Sequence, residues 1–280
     1  MSLPRRARGL AELTRPGNAI AAGVLTFTGA YVAGGALGRP VAVAAAVLAT
    51  VFATGAGNAV NDYFDREIDR VNRPDRPIPR GAVSPRGALV FSGLLFVGAV
   101  VCALLLPLPA IAIAVVNLLL LIAYTELFKG LPGVGNAVVG LLTGSTFLFG
   151  GAAVGEPLGA WVLFVLAAVA TLTREIVKDV EDLAGDREEG LNTLPIAVGE
   201  ERALWVGAAA MVVAVAASVV PFLDGTFGLV YLLLVIPADV VMLSATRTAF
   251  SDPATGQRRI KAGMLLAVVA FIAGRTVAVV

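Results

Sequence analysis

Long runs of apolar residues alternate with short polar stretches along the whole chain. Each run has roughly 18 to 22 residues, which is the length that a helix needs to cross a lipid bilayer. Helices satisfy their own backbone hydrogen bonds, so they are the structure that such runs favour in a membrane. The runs predict about nine transmembrane helices, at 17–37, 40–61, 87–106, 108–127, 133–153, 157–177, 203–222, 226–246 and 261–279.

The composition agrees with this pattern. Hydrophobic residues make up 58% of the 280 residues and charged residues only 15%, more apolar surface than a soluble core of this length could bury. We therefore expect an all-α, polytopic membrane protein. Very short turns join the first two runs and the two runs divided at Pro107, so eight and ten helices are the alternative counts. With no soluble module or long linker between the runs, we expect residues 1–280 to form a single transmembrane domain.

The basic residues are distributed unequally between the two sides that nine helices define. Cytoplasmic segments of membrane proteins carry an excess of lysine and arginine. The N-terminal tail and the even-numbered loops hold Arg5, Arg6, Arg8, Arg15, Arg66, Arg70, Arg73, Arg76, Arg80, Arg86, Lys129, Lys178, Arg187, Arg202, Arg247, Arg258, Arg259 and Lys261. Only Arg39 and Arg275 fall on the opposite side. We therefore predict a cytoplasmic N-terminus.

Two features of the composition narrow the chemistry. The sequence contains no histidine, which excludes imidazole catalysis and histidine-ligated zinc or haem. Its single cysteine, Cys102, excludes an intrachain disulfide. Any proton transfer must therefore use carboxylates, tyrosine, lysine, water or the substrate itself.

A stretch rich in acids and arginines follows the second predicted helix. It reads NDYFDREIDRVNRPDRPIPRG and spans 61–81. On a helix, Asn61, Asp65 and Asp69 lie four residues apart on one face, with Asp62 beside them. Like charges at this spacing repel each other, so we expect a cation to compensate them.

A second acid cluster, in REIVKDVEDLAGD, closes the sixth predicted helix. Asp179, Asp182 and Asp186 are spaced i, i+3 and i+7, which again places them along one helical face. The second and sixth helices end on the same side of the membrane, the cytoplasmic one. Taken alone, either cluster is also typical of a solvated helix end, but the two together favour a shared binding site.

Carboxylates without sulfur or imidazole ligands indicate a hard divalent cation. Mg²⁺ prefers a few carboxylates together with water and substrate phosphate oxygens, so the clusters predict a phosphorylated substrate. Guanidinium groups match phosphate oxygens in pairs. The loops on this side supply Arg73, Arg76, Arg80, Lys129 and Lys178. A diphosphate beside an apolar bundle predicts a lipid diphosphate, with its head at the cytoplasmic rim and its tail between the helices.

Four stretches, in order along nearly the whole chain, resemble the UbiA superfamily of intramembrane prenyltransferases. The first acid stretch follows the pattern N-D-x-x-D-x-x-x-D and then N-R-P-x-R-P-I-P. The second, REIVKDVEDLAGDREEGLNTLPIAVG, is similar to that superfamily's second acid motif, including its trailing G-D-x-x-x-G and L-P. TRPGN at the first predicted helix and YTELFKG with the following GN also match. The resemblance implies a bundle of nine helices around a central cavity.

The same resemblance implies a site in which two Mg²⁺ ions bridge an isoprenyl diphosphate to the two acid motifs. The implied metal ligands are Asn61, Asp65, Asp69, Asp179, Asp182 and Asp186. The implied substrate-binding residues are Arg15, Asn18, Arg73, Arg76, Tyr124, Lys129 and Lys178; Tyr124 is equally typical of an interfacial anchor. Asp65 and Asp182 count as catalytic too, because the metal they hold stabilises charge on the leaving pyrophosphate. If the acceptor is a hydroxyl, we expect Asp62 or another nearby carboxylate to take its proton.

Within the superfamily, the motifs are most similar to the branch that makes archaeal lipids. That similarity implies transfer of a geranylgeranyl group from its diphosphate to the hydroxyl of geranylgeranylglyceryl phosphate, in the cell membrane, with release of pyrophosphate. One alternative is an aromatic acceptor, such as a quinone, haem or chlorophyll precursor. Another is a cation or organic-anion transporter, although transporters tend to bind near the bilayer midplane. We expect contact with membrane lipids, no nucleic acid and no obligatory protein partner.

Asp239 lies within the apolar run 226–246. A carboxylate at membrane depth costs about 2.5 to 3.5 kcal/mol on insertion scales. We therefore expect Asp239 to face the cavity or a polar partner, or to be protonated, and the sequence assigns it no further role.

Overall fold

The structure, a computed structural model, describes the backbone of residues 3–279 and the side chains of residues 6–278. The side chain of Arg5, part of the basic N-terminal tail, lies outside this description. The described residues form fourteen α-helices and no β-strand, so the all-α prediction is confirmed. The helices are α1 (Leu3–Leu13), α2 (Pro16–Val32), α3 (Pro40–Phe64), α4 (Arg66–Asn72), α5 (Pro85–Leu104), α6 (Leu108–Ala123), α7 (Val134–Ala153), α8 (Trp161–Glu181), α9 (Leu183–Glu188), α10 (Leu194–Val198), α11 (Glu200–Ser218), α12 (Val220–Leu223), α13 (Leu229–Thr248) and α14 (Pro253–Val279).

Eight helical segments of the described chain are long and apolar enough to cross a membrane. They match the second to ninth predicted spans and comprise Pro40–Phe64, Pro85–Leu104, Leu108–Phe128, Val134–Ala153, Pro157–Glu181, Glu200–Leu223, Leu229–Thr248 and Pro253–Ala278. The first predicted span, 17–37, corresponds to α2, whose 17 residues are at the lower limit for a membrane-crossing helix. The count of nine crossings and the cytoplasmic N-terminus therefore stay predictions.

Several helices extend beyond their predicted spans at the end of the bundle that carries the acid motifs. Helix α3 continues from 61 to Phe64, α8 continues from 177 to Glu181, and α14 begins at Pro253 rather than at 261. The extensions carry charged residues, so hydropathy marks where the chain leaves the apolar layer while the backbone remains helical. In contrast, α2 ends at Val32 instead of 37, and the turn after it includes Gly34 with a φ of 95°, a conformation that glycine adopts readily.

Helices α2 and α7 pack backbone against backbone at two glycines. A Cβ at Gly29 would lie 2.1 Å from the carbonyl oxygen of Phe147, and a Cβ at Gly150 would lie 2.0 Å from that of Thr26. A larger residue at either position would force the helices apart. Small residues at such contacts allow the close van der Waals packing that associates helices in lipid, where the hydrophobic effect contributes little.

Large apolar side chains cover the outside of the bundle. In the segment Leu108–Phe128, only 6% of the most apolar stretch is buried. Leu94, Leu108 and Val213 expose 66%, 76% and 62% of their surfaces. Soluble proteins rarely expose continuous apolar surface on this scale, and a lipid environment accounts for it.

A cavity of about 290 Å³ lies inside the bundle. It is lined by residues from α2, α7, α8, α11, α13 and α14. Most of the lining is aliphatic or aromatic, and the polar lining residues include Asn18, Arg174, Ser218, Asp239 and Lys261. This is the central cavity that the family resemblance implies.

Candidate active site

The first acid motif crosses two helices that meet at Asp65. Helix α3 ends at Phe64 and α4 begins at Arg66, while Asp65 between them has a near-helical φ of −79° and ψ of 0°. The N–H of Asp65 donates to the carbonyl of Asn61 at 2.9 Å, and the N–H of Asp69 donates to the carbonyl of Asp65 at 2.9 Å. The four-residue spacing predicted for this motif therefore persists through the junction.

Arg76 bridges two buried carboxylates of this motif. Its Nη1 donates to Oδ2 of Asp69 and, at 3.2 Å, to Oδ1 of Asp62. Arg15 Nη2 donates to the same Asp62 oxygen at 2.6 Å. Asp62 and Asp69 are only 4% and 5% exposed, and buried carboxylates need such partners to offset the loss of hydration. The first motif therefore supplies its own counter-ions.

Arg15 reaches the first motif from an unusual backbone conformation. It precedes α2 with a φ of 47°, the only positive φ at a non-glycine residue in the described chain. Such conformations cost on the order of 1–3 kcal/mol and persist where surrounding contacts hold them. The ion pair with Asp62 is one such contact, so the position of this guanidinium is specified by both α2 and α3.

Three further residues of the first motif are accessible. The side chains of Asn61, Asp65 and Arg73 are exposed, so a ligand can reach them. Arg80, expected to help neutralise a phosphate, instead donates to a carboxylate oxygen of Glu12 in α1 and to the carbonyl of Asp75. It stabilises the loop after α4 against α1.

The second acid motif has the same local construction as the first. Asp182 joins α8 to α9 with a φ of −89° and ψ of 4°. Its N–H donates to the carbonyl of Lys178 at 2.9 Å, and the N–H of Asp186 donates to the carbonyl of Asp182 at 3.0 Å. The predicted one-sided spacing of this motif is therefore also kept across a junction.

The second motif lines a polar pocket of about 70 Å³. Its charged lining residues are Glu175, Asp179, Asp182, Asp186, Lys129 and Lys178. All except Glu175 belong to the predicted site. Four carboxylates against two lysines leave an excess of two negative charges at the pocket, so the pocket favours a cation.

A π-helical turn places two predicted substrate-binding residues at this pocket. The turn Tyr124–Phe128 continues α6, and the N–H of Lys129 donates to the carbonyl of Tyr124 at 2.8 Å. Such turns are rare and frequently occur at functional sites. Lys129 Nζ lies 3.6 Å from Oε2 of Glu189, and both Tyr124 and Lys129 line the pocket.

Hydrogen bonds orient the second acid motif. Asn136 Nδ2 donates to Oδ2 of Asp179 at 2.7 Å, and Lys178 Nζ lies 3.0 Å from Oδ2 of Asp182. Burial raises the pKa of Asp186, and the nearby charges of Asp182 and Glu189 raise it further. The sequence alone assigns no role in the site to Asn136; its place in the GN match is the only signal for it.

The donor atoms at both motifs suit Mg²⁺. They are carboxylate and amide oxygens, the hard ligands that this ion accepts. Among the residues described, no three acids are arranged to hold a metal ion by themselves. Mg²⁺ usually takes one or two carboxylates and completes its shell with water and phosphate oxygens. The residues therefore fit an ion that is shared with a phosphorylated ligand, rather than a cage made by the protein alone.

Two further residues singled out in the sequence line the central cavity. Asn18 lies in the first turn of α2 and Asp239 lies in α13. Ser218 Oγ donates to Oδ2 of Asp239 at 2.7 Å, and the hydroxyl of Tyr231 donates to the carbonyl of Ser218 at 2.6 Å. The prediction that Asp239 faces the cavity or a polar partner is confirmed on both points.

Known proteins are similar to this chain over almost its whole length. A digeranylgeranylglyceryl phosphate synthase of Natronomonas pharaonis is 66% identical over 271 residues, which cover 96% of this chain and 98% of that protein.

Solved structures have the same fold. One, of a digeranylgeranylglyceryl phosphate synthase in membranes, is 32% identical with a TM-score of 0.81 and covers 96% of this chain and 98% of its own. A UbiA homologue from Archaeoglobus fulgidus, solved with DMAPP and Mg²⁺, is 18% identical with a TM-score of 0.68 and covers 96% and 99%. The sequence model of the UbiA prenyltransferase family matches residues 22–273. Because this match covers most of the chain, the protein belongs to the UbiA prenyltransferase family.

Proposed function

We propose that this protein is a Mg²⁺-dependent geranylgeranyltransferase that acts on a lipid acceptor. It would transfer the geranylgeranyl group of geranylgeranyl diphosphate to the hydroxyl of geranylgeranylglyceryl phosphate, forming the second ether bond of archaeal membrane lipids. The observation that carries the proposal is the 66% identity, over 96% of the chain, to a digeranylgeranylglyceryl phosphate synthase. The geometry supports it with an acid-rich pocket and an apolar cavity in one bundle.

The donor diphosphate is proposed to bind between the two acid motifs. Asp179, Asp182 and Asp186 would hold Mg²⁺ on one side, with Asn61, Asp65 and Asp69 on the other. The positively charged groups proposed to contact diphosphate oxygens are Arg15, Arg73, Arg76, Lys129 and Lys178. Support for the metal comes from the oxygen donors at both motifs and from the UbiA homologue that was solved with DMAPP and Mg²⁺.

The reaction breaks the carbon–oxygen bond between the prenyl group and the diphosphate. Bound Mg²⁺ would stabilise the negative charge that builds on the departing pyrophosphate. The apolar walls of the cavity keep water from the allylic cation, so the acceptor oxygen attacks it instead. The lysines of the acid-rich pocket would hold the pyrophosphate during this step.

The acceptor hydroxyl loses a proton when its oxygen forms the ether bond, and we assign Asp62 to take it. Arg15 and Arg76 both bond to Oδ1 of Asp62, so they fix the orientation of the carboxylate. Neither contact uses Oδ2, and that oxygen is the proposed proton acceptor. A general base must lie within hydrogen-bond reach of the proton that it takes.

We also propose that the site opens to the cytoplasm from the cell membrane. The basic tail and loops support this orientation through the excess of positive residues on cytoplasmic segments. Both acid motifs lie at the ends of α3 and α8, which fits a diphosphate delivered from the water-facing side.

The test is product analysis with purified protein in detergent, with geranylgeranyl diphosphate, Mg²⁺ and one acceptor at a time. Mass spectrometry should find digeranylgeranylglyceryl phosphate with the glyceryl phosphate acceptor, together with an equal amount of pyrophosphate. If only an aromatic acceptor gave product, the family assignment would stand and the proposed lipid acceptor would be wrong. If no acceptor gives product while Mg²⁺-dependent flux occurs in vesicles, a transporter becomes the better account.

A further inference from the structure

Two basic side chains, Arg174 and Lys261, line the central cavity and not the acid-rich pocket. Arg174 of α8, Lys261 of α14 and Asn18 of α2 all line the cavity. Asn18 and Lys261 are exposed, while the Arg174 side chain is 24% exposed. Together these three residues form the cavity rim.

The cavity rim has a hydrogen-bond donor and a positive charge that no protein group pairs with in the described chain, so it can bind an anion. Arg174 Nη1 bonds to Oε1 of Glu175 at 2.6 Å, but its Nε is buried with no hydrogen-bond partner. Thr171, one turn earlier on α8, also lines the cavity, and its buried Oγ1 lacks a partner too. Lys261 forms no ion pair within the described part of the chain. Unpaired buried donors are costly, so a ligand oxygen at this place would be stabilised.

The space below the rim is suited to a hydrocarbon tail. Along α8, lining residues run from Leu163 to Arg174, which at about 1.5 Å per residue is roughly 16 Å. The walls between include Leu166, Phe147 and Phe271. The one acid that lines the cavity, Asp239, accepts a hydrogen bond from Ser218 at Oδ2, while its buried Oδ1 has no hydrogen-bond partner. Basic residues at the rim and apolar walls below it match the chemistry of a ligand with an anionic head and an isoprenoid tail.

The acid-rich pocket has its own cations. Lys129 and Lys178 line that pocket and are absent from the central cavity, whereas Arg174 and Lys261 line the cavity and are absent from the pocket. The proposed reaction has two substrates with phosphate groups. The two separate sets of cations match the two phosphate-bearing substrates, and the donor diphosphate would bind together with Mg²⁺.

We propose that Arg174 and Lys261 bind the phosphate of the lipid acceptor, as a subsite distinct from that of the donor diphosphate. This assignment rests on the proposed function, because an aromatic acceptor has no phosphate to place there. The subsite would hold the glycerol hydroxyl at a fixed distance from the acid motifs. It would also select phosphorylated over unphosphorylated acceptors.

Lys261 offers the cleaner test, because removing Arg174 would also leave Glu175 unpaired beside the acid-rich pocket. In Lys261→Gln we expect the acceptor KM to rise about tenfold, as for loss of one charge-assisted hydrogen bond. The donor KM should not change, and Lys261→Arg should restore most of the acceptor affinity. Arg259→Gln, an exposed basic residue of the same helix that does not line the cavity, is the matched control.

A second acceptor distinguishes the phosphate from the rest of the lipid. With geranylgeranylglycerol, which lacks the phosphate, Lys261→Gln and the unaltered protein should have equal acceptor KM values. The same results in neutral detergent and in anionic lipid vesicles are expected if the acceptor, rather than bulk lipid, supplies the phosphate.

An unchanged acceptor KM in Lys261→Gln, an equal rise for both acceptors, or a rise in the donor KM would overturn the subsite and leave the proposed function standing. Absence of any transfer to geranylgeranylglyceryl phosphate by the unaltered protein would contradict the proposed function first, and the subsite with it.

Discussion

The two acid motifs have the same backbone construction and different charge environments. In each, a long helix passes through a single aspartate, Asp65 or Asp182, into a short helix that carries the last acid. The first motif buries Asp62 and Asp69 against arginines from the same side of the bundle. The second leaves four carboxylates and two lysines around an open pocket.

This difference indicates that the two motifs have different roles. Ion pairs made within the protein give the first motif a fixed shape before any ligand arrives. The pocket of the second motif has more carboxylates than lysines, which makes the arrival of a cation favourable. Burial, and after it the charges of Asp182 and Glu189, raises the pKa of Asp186. We therefore expect the first motif to contribute more to stability and the second to depend more on metal.

Removal of metal should have the largest effect on activity. With a chelator in excess, pyrophosphate release should fall to background, because the second motif would repel a bare diphosphate. Addition of excess Mg²⁺ should restore the rate, measured as prenylated product by mass spectrometry. Full activity in the chelator would mean that the lysines and arginines suffice to bind the diphosphate. It would contradict the metal dependence that we infer from the charges of the second motif.

Arg76→Gln should lower the stability of the protein more than any substitution in the second motif. It leaves Asp69 without its ion-pair partner and Asp62 with only Arg15, and breaking a buried pair costs about 3 kcal/mol. The measurement is the free energy of unfolding by denaturant in detergent.

The matched control for that change is Arg70→Gln, which removes an exposed pair with Glu67. Exposed pairs contribute roughly 0 to 1 kcal/mol, so this variant should unfold almost as the unaltered protein does. Equal free energies of unfolding for Arg76→Gln and Arg70→Gln would mean that the buried ion pairs of the first motif stabilise the protein no more than an exposed pair does.

Asp182→Asn should lower kcat/KM about a hundredfold at saturating Mg²⁺, because a proposed metal ligand is replaced by a neutral amide. Its side chain is 48% exposed, so the unfolding free energy should change little. Glu181→Gln, an exposed neighbour that does not line the pocket, is the control and should keep its activity. Loss of stability in place of activity would assign Asp182 to the structure rather than to the metal.

Asn136→Ala should have a smaller effect, about a tenfold rise in the Mg²⁺ concentration needed for half-maximal rate. Its amide orients Asp179, and loss of such outer contacts weakens metal sites by about 10 to 100-fold. Asn117→Ala provides the comparison, because Asn117 accepts a hydrogen bond from Ser145 between α6 and α7 and does not line the pocket. If both variants shift the Mg²⁺ requirement equally, the contact with Asp179 is not what matters.

The fold could be predicted well from hydropathy, and the helix ends could not. Helix α14 begins at Pro253, ahead of its predicted start at 261, because the segment containing Arg258 and Arg259 is polar yet helical. Hydropathy indicates which residues contact lipid, whereas a helix ends at the residue where its backbone hydrogen bonds stop. For α2, the end depends on the turn at Gly34 rather than on polarity.

The second motif could be predicted closely because its acids follow one helical face. The ion pairs of the first motif could not be predicted. Arg76 lies seven residues after Asp69 and 14 after Asp62, and only the turn after α4 brings its side chain into contact with these two carboxylates. Spacing alone assigns Arg76 to the substrate. For Lys261 the sequence predicts only a position on the cytoplasmic side. Nothing in the local sequence of Arg174 or Lys261 indicates that α8 and α14 share a cavity.

The most direct test of the account is binding of geranylgeranyl diphosphate by calorimetry in detergent, with and without Mg²⁺. The unaltered protein should bind tightly only with Mg²⁺, and both Asp65→Asn and Asp182→Asn should lose at least about tenfold of that affinity, while Glu181→Gln retains it. Equal binding without Mg²⁺, or unchanged affinity in both aspartate variants, would contradict the claim that the two acid motifs hold the donor through metal ions.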